Sequence, residues 1–435
     1  MKVAQALEEG PAESRDPPRR LEDTPLPTAA CVNFQPLHRL SSRAPPGDGK
    51  KHCDFLKSLT EDLVGTYKRC SAVFEYSTNH APRRVLTKLS KGVHNGGYDN
   101  SEHDYICKVG DKILNPDGQT YEIMERLGHG TFGQVLKCRQ GLEAPGSGPV
   151  ALKIIKNKPA YFHQALMEVR ILQMLNTEFD PEDDKRLVRM LDFFVYRKHL
   201  CIAFELLSVN LYEVLKQNSF RGVSMALIRV LTDQLLKAMR CLREACVIHC
   251  DLKPENVLLF GEELRAKLGD FGWCVGLTAE EPTRRTFCGT MDYISPEMLN
   301  AEPHDANVDL WALGVLLYEM LVGKAPFESN SQKETIDRIC EGRYEVARGS
   351  MSQGAEGLIR GLLRMRQSER TQLAVVLRHP WLVQGLKGSG DEGEDLAATR
   401  ACLRNIPPPP SGLDKTCIVP RRQADPPAAV RAAAP

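Results

Sequence analysis

The stretch "IHCDLKPENVLLF", residues 248–260, carries Asp251, Lys253 and Asn256 on one short loop, and "GDFGWCV" follows at 269–275. Asp251 can accept the proton of an attacking hydroxyl, Lys253 can neutralise charge on a phosphoryl group in transit, and Asn256 can bind a divalent cation from the same loop. Asp270, at a strand end beside the flexible Gly272, offers that cation a second oxygen ligand. Phosphoryl transfer asks a protein mainly for positioning and charge neutralisation, and these four groups can supply both.

Two features upstream fit the same chemistry. "LGHGTFGQV" places Gly128, Gly130 and Gly133 in a turn between two predicted strands. Without Cβ atoms, their backbone N–H groups can approach phosphate oxygens, while Val135 can cover an adenine ring. A plain tight turn would use the same glycines, and a strand-turn-strand setting is not the strand-turn-helix of a dinucleotide fingerprint. In "VALKIIK", Lys153 interrupts an apolar strand, where an unpaired ammonium is expensive to bury. Glu168 is the sole acid of "YFHQALMEVRILQML", so a Lys153–Glu168 pair is the economical arrangement, leaving Lys153 to hold the α- and β-phosphates. A surface Lys and an exposed helix Glu explain the two segments equally well until the loop motifs are weighed with them.

The elements that must position these groups change character along the chain. From 121 to 207, short apolar or alternating runs ("YEIMERL", "QVLKC", "VALKIIK", "HLCIAFEL") predict strands of a small sheet, with one helix over "YFHQALMEVRILQML". Beyond it, "SMALIRVLTDQLLKAMRCLREA", "ANVDLWALGVLLYEMLVG", "SQKETIDRICEG" and "GAEGLIRGLLRM" repeat apolar residues at helical spacing. A strand-rich lobe followed by a helix-rich lobe leaves a cleft between them, where ligands usually bind. Residues 1–100 are expected to be mostly disordered, apart from a short helix in "CDFLKSLTEDLVGTYKRC", and the Pro/Ala-rich tail 383–435 is expected to be extended.

Bulk composition excludes other classes. Over 435 residues, 42% apolar and 26% charged content with net charge +1 describe a globular chain with no global bias toward nucleic acid or anionic membrane. The 14 cysteines form no CxxC pairs, which argues against a disulfide framework or a zinc knuckle. "MKVAQALEEGPAESRDPP" has no apolar run of signal-peptide type, and "LWALGVLLYEMLVG" contains Glu319 and is too short to span a bilayer. The expected location is therefore cytoplasmic, nuclear or both. "RRVLTKLSK" at 83–91 fits a nuclear-import patch or an ordinary solvated basic run.

Glycine loop, strand Lys, helix Glu, catalytic loop and DFG occur in the order of the eukaryotic protein kinases, which the chain resembles over residues 121–382. "SPE" at 295–297 stands where that family has APE, Asp309 opens the "DLW" helix, and Arg370 can pair with a buried Glu297. The resemblance implies an α+β, two-lobed fold, with a small lobe over about 121–207 and a large lobe over about 208–382. It also implies ATP and Mg²⁺ as cofactors and protein hydroxyls as acceptors. Asp251 becomes the base or hydroxyl-orienting group, Asn256 and Asp270 the metal ligands, and Lys153 with Glu168 the ATP-positioning pair. Leu127, Val135, Ala151 and Leu258 would line the adenine pocket, with Glu205 and Leu207 at the hinge and Phe204 narrowing its back.

Within that span two branches are resembled. From "GVHNGGYDNSEHDYI" through "HCDLKPENVLL" the chain is similar to Yak-type members of the DYRK family, including a short segment near 92–107. "NGGYDN" there either braces the small lobe or is only a polar loop. From "LGDFGWCVGL" to "LRHPWL" the chain is similar to Aurora-type kinases, with a seam near 260–268. Ile294 stands where a Yak-type kinase has the Arg that favours proline after the target residue, and the Tyr-x-Tyr of that branch is absent, so proline-directed specificity and tyrosine autoactivation are not carried over. The Aurora-type half implies Thr286 as an activating phosphosite, whereas Cys250 replaces the catalytic-loop Arg that would hold the phosphate. Lys253, Thr290 and Glu255 fit a serine/threonine kinase favouring upstream basic residues. The competing reading is a catalytically weak kinase-like scaffold whose lobes, meeting at contacts such as Leu172 on Phe271, never close productively.

Overall fold

The computed structural model describes residues 63–70, 83–141, 148–261, 265–346 and 351–387. Of the stretches 1–100 and 383–435 expected to be mostly disordered or extended, residues 1–62, 71–82 and 388–435 lie outside them. Of the helix expected in "CDFLKSLTEDLVGTYKRC", its last part forms α1 (Leu63–Cys70).

The small lobe is an antiparallel sheet of β1 (Lys112–Leu114), β2 (Thr120–His129), β3 (Gly133–Gln140), β4 (Pro149–Ile155), β5 (Met190–Tyr196) and β6 (His199–Glu205), in the order β1-β2-β3-β4-β6-β5. Strand alternation sends successive side chains to opposite faces. On β4, Val150, Leu152 and Ile154 join a core with Leu86, Tyr105, Cys107 and Ile113. Ile155 instead joins the larger core that runs on into the helical lobe, and Ala151 packs against it. Lys153 therefore belongs to the cleft face by parity. Packing the cleft face is α2 (Pro159–Met174), which opens with Pro at its first position and buries Leu166, Glu168, Val169 and Leu172.

The folded small lobe starts well before residue 121. Leu86, Thr87, Asp99, Asn100 and Asp104 are all buried, although composition reads this stretch as loop. Polar pairing makes that burial possible. Asp99 accepts hydrogen bonds from Asn157 Nδ2 at 2.9 Å and Asn95 Nδ2 at 3.1 Å and sits 2.9 Å from His199 Nε2. Thr87 donates to Gln134 Oε1 at 3.0 Å. Of the two readings of "NGGYDN", the brace is the one found.

The large lobe is built on α4 (Met225–Glu244), capped by Ser224, and α6 (Asn307–Val322), in which Asn307 through Met320 are all buried. A helix apolar around its circumference belongs at the centre of a core, and α6 lies there. Around these two stand α3 (Leu211–Gln217), α5 (Pro296–Leu299), α7 (Gln332–Glu341), α8 (Gln353–Leu362), α9 (Leu373–Val376) and α10 (Pro380–Lys387). Short strands carry the loops of the cleft: β7 (Val209–Asn210), β9 (Val257–Phe260) and β10 (Arg265–Leu268) form one sheet, and β8 (Val247–Ile248) pairs β11 (Val275–Gly276). The four large-lobe helices expected from periodicity are α4, α6, α7 and α8; β1 and β5 escaped the pattern reading.

Candidate active site

Lys153 donates to both carboxylate oxygens of Glu168, at 2.8 and 2.9 Å, and to Asp270 Oδ1 at 3.0 Å. The pair proposed to relieve the lone strand Lys is thus formed, and Asp270 of the DFG turn joins it. Burial pushes the Glu168 carboxyl up. Burial also opposes the Lys153 charge, but Asp270 and then Glu168 outweigh it and hold the ammonium well above the usual lysine range. At Asp270 burial again works against ionisation, and Lys153, followed by Lys253, holds the carboxyl down at about 2.

The catalytic loop leaves β8 and is pinned from below by α6. Asp309 Oδ2 accepts the N–H of His249 at 2.8 Å, and Oδ1 that of Cys250 at 2.9 Å. Cys250 has φ 64° and Asp270 φ 56°. Such left-handed backbone is costly for non-glycine residues, clusters at active sites and persists where surrounding contacts fix it. Asp251, 2% exposed, is held on three sides. Thr290 donates to its Oδ1 at 2.7 Å, Lys253 Nζ lies 2.7 Å from its Oδ2, and Asn256 Nδ2 reaches its backbone oxygen at 2.7 Å and Oδ2 at 3.2 Å. Lys253 also donates to Thr290 Oγ1 at 2.8 Å.

Asn256 spends its amide nitrogen on these bonds, so its Oδ1 is the atom it can offer a cation. Asp270, with its side chain 40% exposed and its charge retained, offers the carboxylate. Two hard oxygen donors facing the cleft suit Mg²⁺, which takes few protein ligands and completes its shell with phosphate and water. Among the described residues a further trio of ligand type, Glu102, Asp104 and His129, lies outside this centre.

Above the cleft, the glycine-rich turn connects β2 to β3. A Cβ at Gly133 would collide with the backbone oxygen of Ile154, whereas Gly128 and Gly130 face open space. Gly133 therefore serves the sheet, while the other two leave room for a ligand. Between the glycines, Phe132 packs edge-on to Tyr161 of α2, 5.7 Å between ring centroids, and to Trp273 after the DFG turn, 5.1 Å. Gln164 of α2 donates to Gly272 O at 2.6 Å. Turn, helix and DFG are thus fixed to one another, and Leu172 and Phe271 lie fully buried in one core.

Leu127, Val135, Ala151, Leu207 and Leu258 are partly exposed apolar residues, and Phe204 is buried. Glu205 differs from the others. Its carboxylate turns away to accept from Lys267 Nζ at 2.6 Å and Arg189 N at 2.8 Å, so only its backbone can face a nucleotide. Lys267, 2% exposed, also donates to both oxygens of Asp183.

In the activation segment Thr286 is exposed, Ile294 is buried, and both neighbouring arginines are engaged: Arg284 with Glu281 and Gly276 O, Arg285 with Ala301 O. Glu297 pairs with Arg370 through bonds of 2.8 and 3.0 Å. The roles of Asp309, Phe132, Gln164 and Lys267 had not been read from the sequence. Lys267 shares its four-residue strand with Arg265, so it did not stand out as Lys153 did.

No helix among the described residues is long and apolar enough to cross a membrane. The protein kinase domain family matches residues 121–382. The chain is 43% identical over 289 residues to serine/threonine-protein kinase ppk15 of Schizosaccharomyces pombe, covering 66% of this chain and 53% of that protein. It is 45% identical over 287 residues to probable serine/threonine-protein kinase yakA of Dictyostelium discoideum, covering 66% and 19%. To dual specificity protein kinase YAK1 of Saccharomyces cerevisiae it is 40% identical over 287 residues, covering 66% and 35%. The chain thus spans about half or less of the length of these relatives. A match across both lobes, together with the site geometry, makes the chain a member of the eukaryotic protein kinase family, with relatives in its Yak/DYRK branch.

Proposed function

We propose that the chain is an ATP- and Mg²⁺-dependent serine/threonine protein kinase. One observation carries this reading: Lys153, Glu168 and Asp270 form a single charge cluster on one side of the cleft while Asp251, Lys253, Asn256 and Thr290 form a connected set on the other. Both halves of a phosphoryl-transfer site are preassembled, which counts against the scaffold alternative.

Asp251 accepts the hydrogen bond of the substrate hydroxyl and aims its oxygen at the γ-phosphorus. The proton passes to Asp251 or to the departing phosphate as the new O–P bond forms and the bond to the ADP oxygen breaks. Lys253 neutralises the transferring group, and Lys153, fixed by Glu168, holds the α- and β-phosphates. A divalent cation held by Asn256 and Asp270 supplies further charge neutralisation.

The acceptor preference follows the large lobe. Ile294 is apolar and buried where an Arg would favour proline after the target residue, and the partly exposed Glu255 is the acid that would meet an upstream basic residue. Thr286 is the autophosphorylation site, with a limited effect on activity because Cys250 cannot hold its phosphate. Protein substrates in the cytoplasm or nucleus are the expected targets. Two peptide pools test the specificity: one with Arg upstream of Ser/Thr, one with Pro directly after it. Transfer to the Arg pool supports the reading. Preferential transfer to the Pro pool refutes the role given to Ile294.

A further inference from the structure

We propose that His129, Asp104 and Lys156 form a latch that ties the start of the glycine-rich turn, at the end of β2, to the segment 99–105 and thereby sets the affinity for ATP. The inference rests on the kinase reading for its consequence but not for its geometry.

His129 stands between Gly128 and Gly130, and its Nε2 lies 3.1 Å from Asp104 Oδ2. The imidazole is 34% exposed, while the Asp104 side chain is 2% exposed. Asp104 is a fixed post. Its N–H donates to Asn100 Oδ1 at 2.9 Å, and Asn100 N–H returns to Asp104 O at 3.0 Å. Asn157, just beyond β4, donates its N–H to His103 O at 2.9 Å, and His103 stacks on His94 at 4.2 Å. Both carboxylates of this corner face Lys156, whose Nζ is 3.5 Å from Glu102 and 3.8 Å from Asp104.

The same Lys156 donates its backbone N–H to Phe132 O at 2.8 Å. One corner of the lobe therefore grips the turn at two points, through a side chain where it leaves β2 and through the backbone near its end. Asp104 Oδ1 is buried without a hydrogen-bond partner. If this end of β2 lifted, the carboxylate would also lose its bond to His129 and keep only the longer contact with Lys156. A buried carboxylate short of partners strongly favours the state in which the ring contact is made.

Glu102, Asp104 and His129 also bring their ligand-type atoms within 4.8 Å of one another, the spacing of a cation site. The Lys156 ammonium already neutralises that corner and would be repelled by a divalent ion, so the geometry favours a latch. Its consequence follows from ordering cost. A turn rich in glycine loses much freedom when it closes over phosphates, and one held in place beforehand loses less on binding.

The test uses the full chain and the variants His129→Ala, Asp104→Leu and His129→Gln. Gln retains a donor able to reach the carboxylate. The expected result for His129→Ala and Asp104→Leu is a KM for ATP raised about fivefold, the equivalent of one hydrogen bond, with kcat little changed. Backbone hydrogen exchange over residues 127–134 should quicken in both and stay near wild type in His129→Gln. Unchanged exchange and unchanged ATP affinity in His129→Ala would overturn the latch. So would a Gln variant as impaired as the Ala variant. Exchange and equilibrium Mg·ATP binding are read without phosphate transfer, so an inactive chain with faster exchange in the variants would refute the kinase reading and leave the latch standing.

Discussion

Arg370 and Glu297 join the end of the activation segment to the C-terminal helices, and removing the arginine measures what that joint is worth. Their side chains are 0% and 1% exposed. Arg370 donates to both Glu297 oxygens at 2.8 and 3.0 Å, to Asn307 O at 2.7 Å and to Arg364 O at 3.2 Å. Arg370→Ala leaves the Glu297 carboxylate charged in the core without its partner, a change that costs about 3–5 kcal/mol in comparable buried pairs. Against a stability of about 5–15 kcal/mol this is a large loss. In urea the midpoint should fall by roughly 1 M or more. Adding Glu297→Gln to Arg370→Ala removes the stranded charge, so the double variant should be less destabilised than the sum of the singles by more than about 1 kcal/mol. Because Glu297 lies at the end of the activation segment, KM for peptide should also rise more than KM for ATP. A loss below about 1 kcal/mol, or strict additivity, would refute the assignment of this pair as a buried, mutually dependent anchor.

Three further outcomes follow from the same structure. Thr286→Ala should retain most of the phosphate transfer measured on a peptide, since Cys250 stands where an arginine would read the phosphate; near-complete loss of activity would contradict this. His304 is 1% exposed, and burial holds its pKa below the ordinary value. The unfolded chain therefore binds the proton more readily, so this contribution to stability is present above about pH 6.5 and is lost as pH falls below it. Melting temperatures across pH 5–7 should decline less for His304→Phe than for the parent chain. Gly133→Ala should destabilise the small lobe by about 1–3 kcal/mol through its clash with Ile154 O, whereas Gly128→Ala should change stability by less than about 0.5 kcal/mol and weaken ATP binding instead.

What the sequence disclosed was local. Lys153 stood out because a charge in an apolar strand needs a partner, and Glu168 was the one acid within reach on the next helix. The catalytic loop was legible because its groups lie within a few residues. Glu205 shows the limit: its place at the hinge was readable by resemblance, but its carboxylate answers to Lys267, 62 positions away, and no short-range pattern announces that. The segment from 85 to 107 failed composition reading for a related reason. Its Asp, Asn and His residues resemble solvated loop, yet Asp99 is buried against His199, 100 positions on. Phe132, Tyr161 and Trp273 likewise meet only after both lobes have folded.

The central claim, that the preassembled clusters transfer phosphate, is tested most directly by transfer of the γ-phosphate of ATP to a serine peptide by the full chain, beside its Asp270→Asn variant, with Mg·ATP binding measured in parallel. The account predicts transfer by the parent chain and its loss in Asp270→Asn, with the fold largely retained. A parent chain that binds Mg·ATP but transfers nothing to any Ser/Thr peptide, or an Asp270→Asn variant as active as the parent, would contradict it.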